Sequence, residues 1–272
     1  MNMSDLFADW RRPTFITSVN PGMLGYERLI RDMHPRVELV EIRLDGAWLS
    51  RGSFQGTKHD FAEVANLLRQ AREQVKRPIL ATFRTEGGPV SITAEVYERL
   101  VAQSAKCADW VDVESNYPFI GMTAEQATAA ADDPHTQEDN EKRVVGLLRN
   151  IHSNGTGVIL SRHCWEPSPN SEKEVSDLLI YQLNLGADVS KAAFSPQTPQ
   201  QLANLQQGGK TTFLLTHRPT ILIGMGELGK PTRLAGPQMG NWGTFVTVGG
   251  PQSAPGQLPL AQLELRYPAS GF

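Results

Sequence analysis

Short runs of apolar and β-branched residues alternate along the chain with longer segments whose apolar positions recur every three or four residues. This is the pattern of strands separated by amphipathic helices. Eight strands are read from it, over residues 13–19, 37–43, 78–83, 110–114, 157–161, 187–193, 220–225 and 242–248. Helices are expected over 61–75, where Phe61, Val64, Leu67, Leu68, Ala71 and Val75 share one stripe, and over 93–104, 141–151, 172–185 and 198–206. A final helix is expected from about Leu260, and Gly186 suits the left-handed position that closes the helix before it. Residues 115–140, rich in Ala, Asp and Thr, read as a loop with a short helix near 124–130. Strand and helix alternate throughout, which argues for a parallel sheet wrapped by helices. With no linker rich in Pro, Gly or Ser and no internal repeat, the expected fold is α/β: a single (β/α)8 TIM barrel domain over residues 1–272.

Composition narrows the partners. The 272 residues are 40% hydrophobic, enough for a packed core, and the net charge of -3 provides no basic field for nucleic acid or an anionic membrane. No run approaches the roughly 20 apolar residues of a membrane span. The N-terminal segment lacks the basic region and apolar run of a signal peptide. Two cysteines, Cys107 and Cys164, do not make a disulfide framework, so a reducing cytoplasm is expected. Composition leaves room for a small anionic substrate, because it needs only a few local cations.

In a parallel barrel, chemistry sits at the C-terminal ends of the strands and in the loops after them. Those ends carry Glu41 and Arg43 on strand two, Arg84 and Glu86 after strand three, and Asp112 and Glu114 on strand four. His163 follows strand five, Lys191 lies in strand six, Arg233 follows strand seven, and Ser253 and Gln257 follow strand eight. Charges of both signs converging at one mouth describe a site for an anionic polyol better than a stabilising device. A lone lysine is ordinarily a snorkelling edge residue. Lys191, however, shares a strand face with Val189 and Ala193, and neither face of a barrel strand welcomes an ammonium. A neutral amine there is a nucleophile for a ketone. His163 can take and return a proton, with Glu86 either orienting it or serving as a plain loop carboxylate. Arg233, read as a loop residue, offers a planar guanidinium for a carboxylate. The glycines around it lack the spacing of a phosphate or dinucleotide loop.

Taken in order, these residues resemble the type I 3-dehydroquinate dehydratase family, the Schiff-base dehydroquinases of the shikimate pathway. The motifs are Glu41-Ile42-Arg43-Leu44-Asp45, Phe83-Arg84-Thr85-Glu86-Gly87-Gly88 and Val111-Asp112-Val113-Glu114. They continue with Ile159-Leu160-Ser161-Arg162-His163, Ala187-Asp188-Val189-Ser190-Lys191, Thr232-Arg233-Leu234-Ala235-Gly236 and Ser253-Ala254-Pro255-Gly256-Gln257. The resemblance implies that Lys191 forms an imine with 3-dehydroquinate, that His163 is the general acid and base, and that Glu86 supports the histidine. It places Glu41, Arg43 and Arg84 on substrate hydroxyls, Arg233 on the carboxylate, and Ser253 and Gln257 on a loop that closes over the ring, with Ser18 at the end of strand one as a looser match for substrate binding. It implies a homodimer and requires no metal or nucleotide cofactor. Three departures stand out: Cys164-Trp165 replaces the usual aspartate and aromatic after the histidine, the Arg84-to-Glu86 segment is short, and residues 115–140 are expanded. Two other readings compete: a Schiff-base lyase for a related carbocycle or keto acid, and a non-catalytic ligand sensor. Arg233, Ser253 and Gln257 together favour the original substrate over the first, and Lys191 with His163 counts against the second.

Overall fold

Alternating side chains on each strand produce a sheet that is buried on both faces. The computed structural model describes residues 3–22, 25–167, 169–249 and 252–268. The strands are β1 (Thr14–Val19), β2 (Leu39–Arg43), β3 (Ile79–Thr82), β4 (Trp110–Glu114), β5 (Gly157–Pro167), β6 (Val189–Ser195), β7 (Thr220–Gly224) and β8 (Gly243–Thr247). They pair in parallel in the order β7-β6-β5-β4-β3-β2-β1-β8, and the two-residue β9 (Leu258–Pro259) extends the β8 edge. The sheet curls into the expected (β/α)8 arrangement. No ladder joins β7 to β8 among the described residues. That seam is stitched instead by the Trp242 amide donating to the Thr220 carbonyl (2.7 Å) and by Asn241 Oδ1 accepting from the Leu222 amide (3.2 Å).

The helices are α1 (Met3–Leu6), α2 (Tyr26–Arg31), α3 (Lys58–Gln74), α4 (Ala94–Ser104), α5 (Ala124–Asp132), α6 (Pro134–His152), α7 (Glu172–Asn184), α8 (Pro199–Thr216), α9 (Gly226–Arg233) and α10 (Leu260–Arg266). Side-chain caps start many of them: Thr57 and Asp60 form a capping box on α3, and Thr93, Thr123, Asp133, Ser171 and Thr198 cap α4 to α8. Outward strand residues such as Val40, Ile42, Val111, Val113, Val158 and Leu160 pack with the helices. Inward residues Ile16, Leu39, Leu80, Trp110, Ile159, Val189 and Ile221 fill the barrel, closed at the N-terminal end by Leu6 and Phe7.

Five readings of the sequence are corrected. Residues 115–140 are largely helical: Asp133-Pro134 begins α6, with aspartate at the cap and proline at the first helical position, where its missing N–H costs nothing. β5 runs six residues beyond Ser161, so His163 lies within the strand, opposite Ala193 on β6. β6 is correspondingly shifted, spanning Val189–Ser195. α8 continues ten residues past Gln206, through Gly208 and Gly209. A Cβ on Gly208 would come 2.6 Å from the Val175 side chain, so this glycine permits close packing of α8 on α7 and does not end the helix. Arg233 closes helix α9 and is not in a loop; α2 was not anticipated.

Candidate active site

On six of the eight strands the inner face changes character in one two-residue step. Ile16 gives way to Ser18, Leu39 to Glu41, Leu80 to Thr82, Trp110 to Asp112, Ile159 to Ser161 and Val189 to Lys191. The step is toward the C-terminal ends, so it stacks a polar layer directly on the apolar core.

Lys191 is the centre of that layer. It is 3% exposed, and its Nζ donates to Asp112 Oδ2 at 2.8 Å while sitting 4.5 Å from the centroid of the Phe245 ring on β8. Asp112 Oδ1 accepts from Arg84 Nη2 (2.8 Å) and from Ser161 Oγ (2.6 Å). Burial pushes the Asp112 carboxyl up, but Arg84 and Lys191 together hold it well below the usual carboxylate range. Arg84 Nη1 reaches Glu114 Oε1 (2.8 Å) and Ser161 Oγ (3.1 Å), and Glu114 also accepts the amides of Thr85 and Glu86. Both terminal nitrogens of Arg84 are thereby engaged within the protein.

His163 lies two residues beyond Ser161, the residue that faces Lys191 across the β5–β6 ladder. Its backbone amide donates to Glu86 Oε2 (2.7 Å), and its Nδ1 lies 3.0 Å from the same oxygen. With Glu86 ionised, Nδ1 carries the proton and Nε2 keeps its lone pair. Burial, then the charges of Arg84 and Lys191, lower the His163 pKa well below 6.5 and leave the imidazole neutral at physiological pH. Glu86 is pushed the other way, up to about 7, by burial and by Glu114. Arg162 approaches the second Glu86 oxygen at 3.6 Å.

The remaining residues form two further groups. Glu41 accepts from Ser18 Oγ and from Thr82 Oγ1 (2.9 Å), while Arg43 forks onto Asp45 at 3.0 and 2.8 Å. After β8, Gln257 Oε1 accepts from the Ser253 amide (2.7 Å) and hydroxyl (3.1 Å). Arg233 is 1% exposed, donates from Nη2 to the Pro255 carbonyl (2.9 Å), and among the described residues has no partner for Nε. Burial without a counter-ion lowers its pKa to about 10. Such a guanidinium is prepared for an anion.

A cavity of about 750 Å³ is walled by Ser18, Arg43, Asp45, Val246, Ser253 and Gln257, among others. Lys191, His163, Glu86, Glu41, Arg84 and Arg233 lie outside that wall set. Ser161 and Phe245 were not singled out from the sequence: Ser161 donates to Asp112 Oδ1, and the Phe245 ring lies against Lys191 Nζ. Asp112 and Glu114 were legible in the strand-four motif Val111-Asp112-Val113-Glu114, whose acidic residues alternate with valines and so share one face. Among the described residues no cluster of His, Cys, Asp and Glu is arranged to hold a metal ion, and no helix is long and apolar enough to cross a membrane.

The chain is similar to known proteins in sequence and in fold. Residues 19–271 match the model of the type I 3-dehydroquinase family. The chain is 31% identical over 210 residues to a 3-dehydroquinate dehydratase of Klebsiella pneumoniae, covering 75% of this chain and 74% of the relative. It is 30% identical over 233 residues to one from Listeria monocytogenes, covering 84% and 79%. The solved 3-dehydroquinate dehydratase of Geobacillus kaustophilus superposes with a TM-score of 0.74 at 24% identity, over 94% of this chain and 90% of that one.

Proposed function

Because the chain belongs to the type I 3-dehydroquinase family, we propose that it is a hydro-lyase converting 3-dehydroquinate to 3-dehydroshikimate and water. In this reading Lys191 is the imine-forming amine and His163 the general acid and base, within a single barrel domain. The observation that carries the reading is the placement of Lys191 and His163 on the inner face of adjacent strands, with a buried lysine nitrogen and a neutral imidazole.

The chemistry follows from the groups. The amine of Lys191 gives up its ammonium proton and adds to the ring ketone; a proton moves to the carbonyl oxygen, water leaves, and a protonated imine remains. That cation withdraws electrons from the neighbouring carbon. His163 Nε2 takes a proton there, giving an enamine, and returns it to the departing β-hydroxyl, which leaves as water. A water molecule then hydrolyses the conjugated imine, releasing product and restoring the lysine. Proton transfer by a placed imidazole contributes about 10²- to 10⁴-fold.

Glu86 sets the imidazole tautomer through Nδ1. Arg233, buried without an anion, takes the substrate carboxylate, and the Ser253–Gln257 loop closes over the ring. Ser18, Glu41 and Arg43 border the hydroxyls, and Arg84 is at hand behind them. No metal or nucleotide enters any step. Incubation with 3-dehydroquinate and borohydride, followed by peptide mass spectrometry, tests the assignment. A reduced adduct on Lys191, with 3-dehydroshikimate formed in the untreated control, is the expected result; an adduct on any other lysine overturns it.

A further inference from the structure

The nucleophile candidate does not sit alone in the barrel. Its nitrogen is 2.8 Å from Asp112 Oδ2, and Asp112 Oδ1 is gripped by Arg84 and Ser161 at 2.8 and 2.6 Å. The Asp112 side chain is wholly buried and comes from β4, whereas Lys191 comes from β6, with Ser161 of β5 between them. Three adjacent strands and the β3 end therefore meet on one carboxylate. A lysine side chain has four rotatable bonds, so without such a grip its amine would sample many positions.

We propose that Asp112 is the positioning residue for the imine-forming nitrogen: held by Arg84 and Ser161, its carboxylate fixes Lys191 Nζ inside the barrel and stays as counter-ion to the iminium. The proposal rests on the Lys191 reading above. It also gives Arg84 a different task from the one the family resemblance implies, since this arginine acts on Lys191 through Asp112.

The electrostatics of the layer agree. Arg84 from the β3 end and His163 on β5 act on the Lys191–Asp112 pair, Glu114 and Glu86 pair with Arg84, Arg43 on β2 acts on His163, and β8 presents the Phe245 ring to Lys191. The ammonium of the free enzyme and the iminium of the intermediate each place one positive charge on the same nitrogen. A fixed anion beside that nitrogen stabilises both, so the charge environment need not reorganise when the bond forms. Take the anion away and the carboxylate shared by Arg84 and the nitrogen is gone, while Arg84 keeps its charge and its pairing with Glu114 and Glu86. The ammonium is then disfavoured, the neutral amine becomes available at lower pH, and the iminium loses its counter-ion.

The test compares the natural chain with Asp112→Asn and Asp112→Glu, using borohydride trapping of 3-dehydroquinate on Lys191 from pH 5 to 10 alongside kcat and KM. For Asp112→Asn the midpoint of trapping should move about one to two pH units toward acid. Its kcat should fall about 10- to 100-fold while KM changes little. Asp112→Glu keeps the charge but shifts it by a methylene, so the midpoint should stay and kcat should still fall. A merely structural aspartate would leave the midpoint unmoved; an Asn variant with the natural midpoint and kcat overturns the proposal while leaving the Schiff base intact. If the Asn variant fails to fold, the Glu variant decides, because unchanged kcat there overturns the positioning role. Absence of an adduct on Lys191 in the natural chain would instead remove the Schiff-base reading, and this proposal with it.

Discussion

The lower and upper halves of the barrel interior share their strands and topology but not their physics. Below, Ile16, Leu39, Leu80, Trp110, Ile159 and Val189 meet Leu6, Phe7 and Trp242, and Phe7 packs edge-on against Trp110 with ring centroids 5.4 Å apart. About 6.6 Å higher, two residues along each strand, the same six strands present Ser18, Glu41, Thr82, Asp112, Ser161 and Lys191. Only β7 and β8 stay apolar through that step, with Ile221 followed by Ile223 and Gly243 by Phe245. The lower half gains stability from area removed from water. The upper half holds buried charges whose desolvation is offset only by mutual pairing, so its worth lies in chemistry.

The largest effect that should separate the halves is at Lys191. Lys191→Ala should cut turnover by about 10⁴-fold or more and abolish borohydride trapping if the proposed imine forms there, since Lys191 is the only buried lysine among the described residues. Its thermal unfolding should change far less than its activity. Substantial turnover in the purified variant would mean that the upper layer works without this nitrogen.

Next comes the lower half. Trp110→Ala removes a large side chain from under Asp112 and from contact with Phe7, and should lower the unfolding free energy by about 3–5 kcal/mol in a denaturant titration. Molecules that remain folded should still trap substrate on Lys191. If the variant is as stable as the natural chain but inactive, the division into a stabilising floor and a reactive ceiling is wrong.

How much of this division could be read from sequence follows from what kind of signal each residue left. The two-residue period put Val189, Lys191 and Ala193 on one face, and the structure places Lys191 inward. The strand centres were legible because burial on both faces demands unbroken apolar runs. Element ends were not. The helix expected over 198–206 falls short of Gly208 and Gly209, which let α8 continue close to α7 and to Leu222. Asp133-Pro134 looked like a turn because the dipeptide serves turns and helix starts equally well. His163 was expected just past a strand, since nothing local showed that Arg162, His163 and Cys164 would find partners on β6. The Asp112 role was out of reach for another reason: a bridge among three strands is a tertiary fact, and period alone gives a face but no partner.

Arg233 sharpens the comparison from the side of binding. It is a buried cation whose Nε has no partner among the described residues, so it lowers the stability of the free protein, and in the proposed reading the substrate carboxylate supplies the missing ion pair. Arg233→Gln should raise KM for 3-dehydroquinate about 30- to 150-fold, the worth of a charged hydrogen bond, with a smaller change in kcat. The ligand-free variant should melt higher than the natural chain. A lower melting point with unchanged KM would assign Arg233 to structure alone.

The smallest effect is a matter of pH. Burial and the neighbouring Glu114 push Glu86 from its ordinary 4.5 up to about 7. A raised pKa means that the folded chain holds this proton more tightly than the unfolded one. Its stabilisation is therefore complete below about pH 4.5 and is lost as pH rises through about 7. The His163 shift has the opposite sign: its contribution is present above 6.5 and is lost as pH falls through its lowered value. Glu86→Gln removes the first of these and keeps an oxygen to accept the His163 amide. The variant should thus gain about 1–2 kcal/mol over the natural chain at pH 8, with the gain shrinking toward pH 5. Its kcat should nevertheless fall, because a neutral amide cannot balance the imidazolium that forms during proton transfer. A stability gap that stays constant from pH 5 to 8 would show that Glu86 ionises alike in both states, and that the polar layer is not held against the stability of the fold at this position.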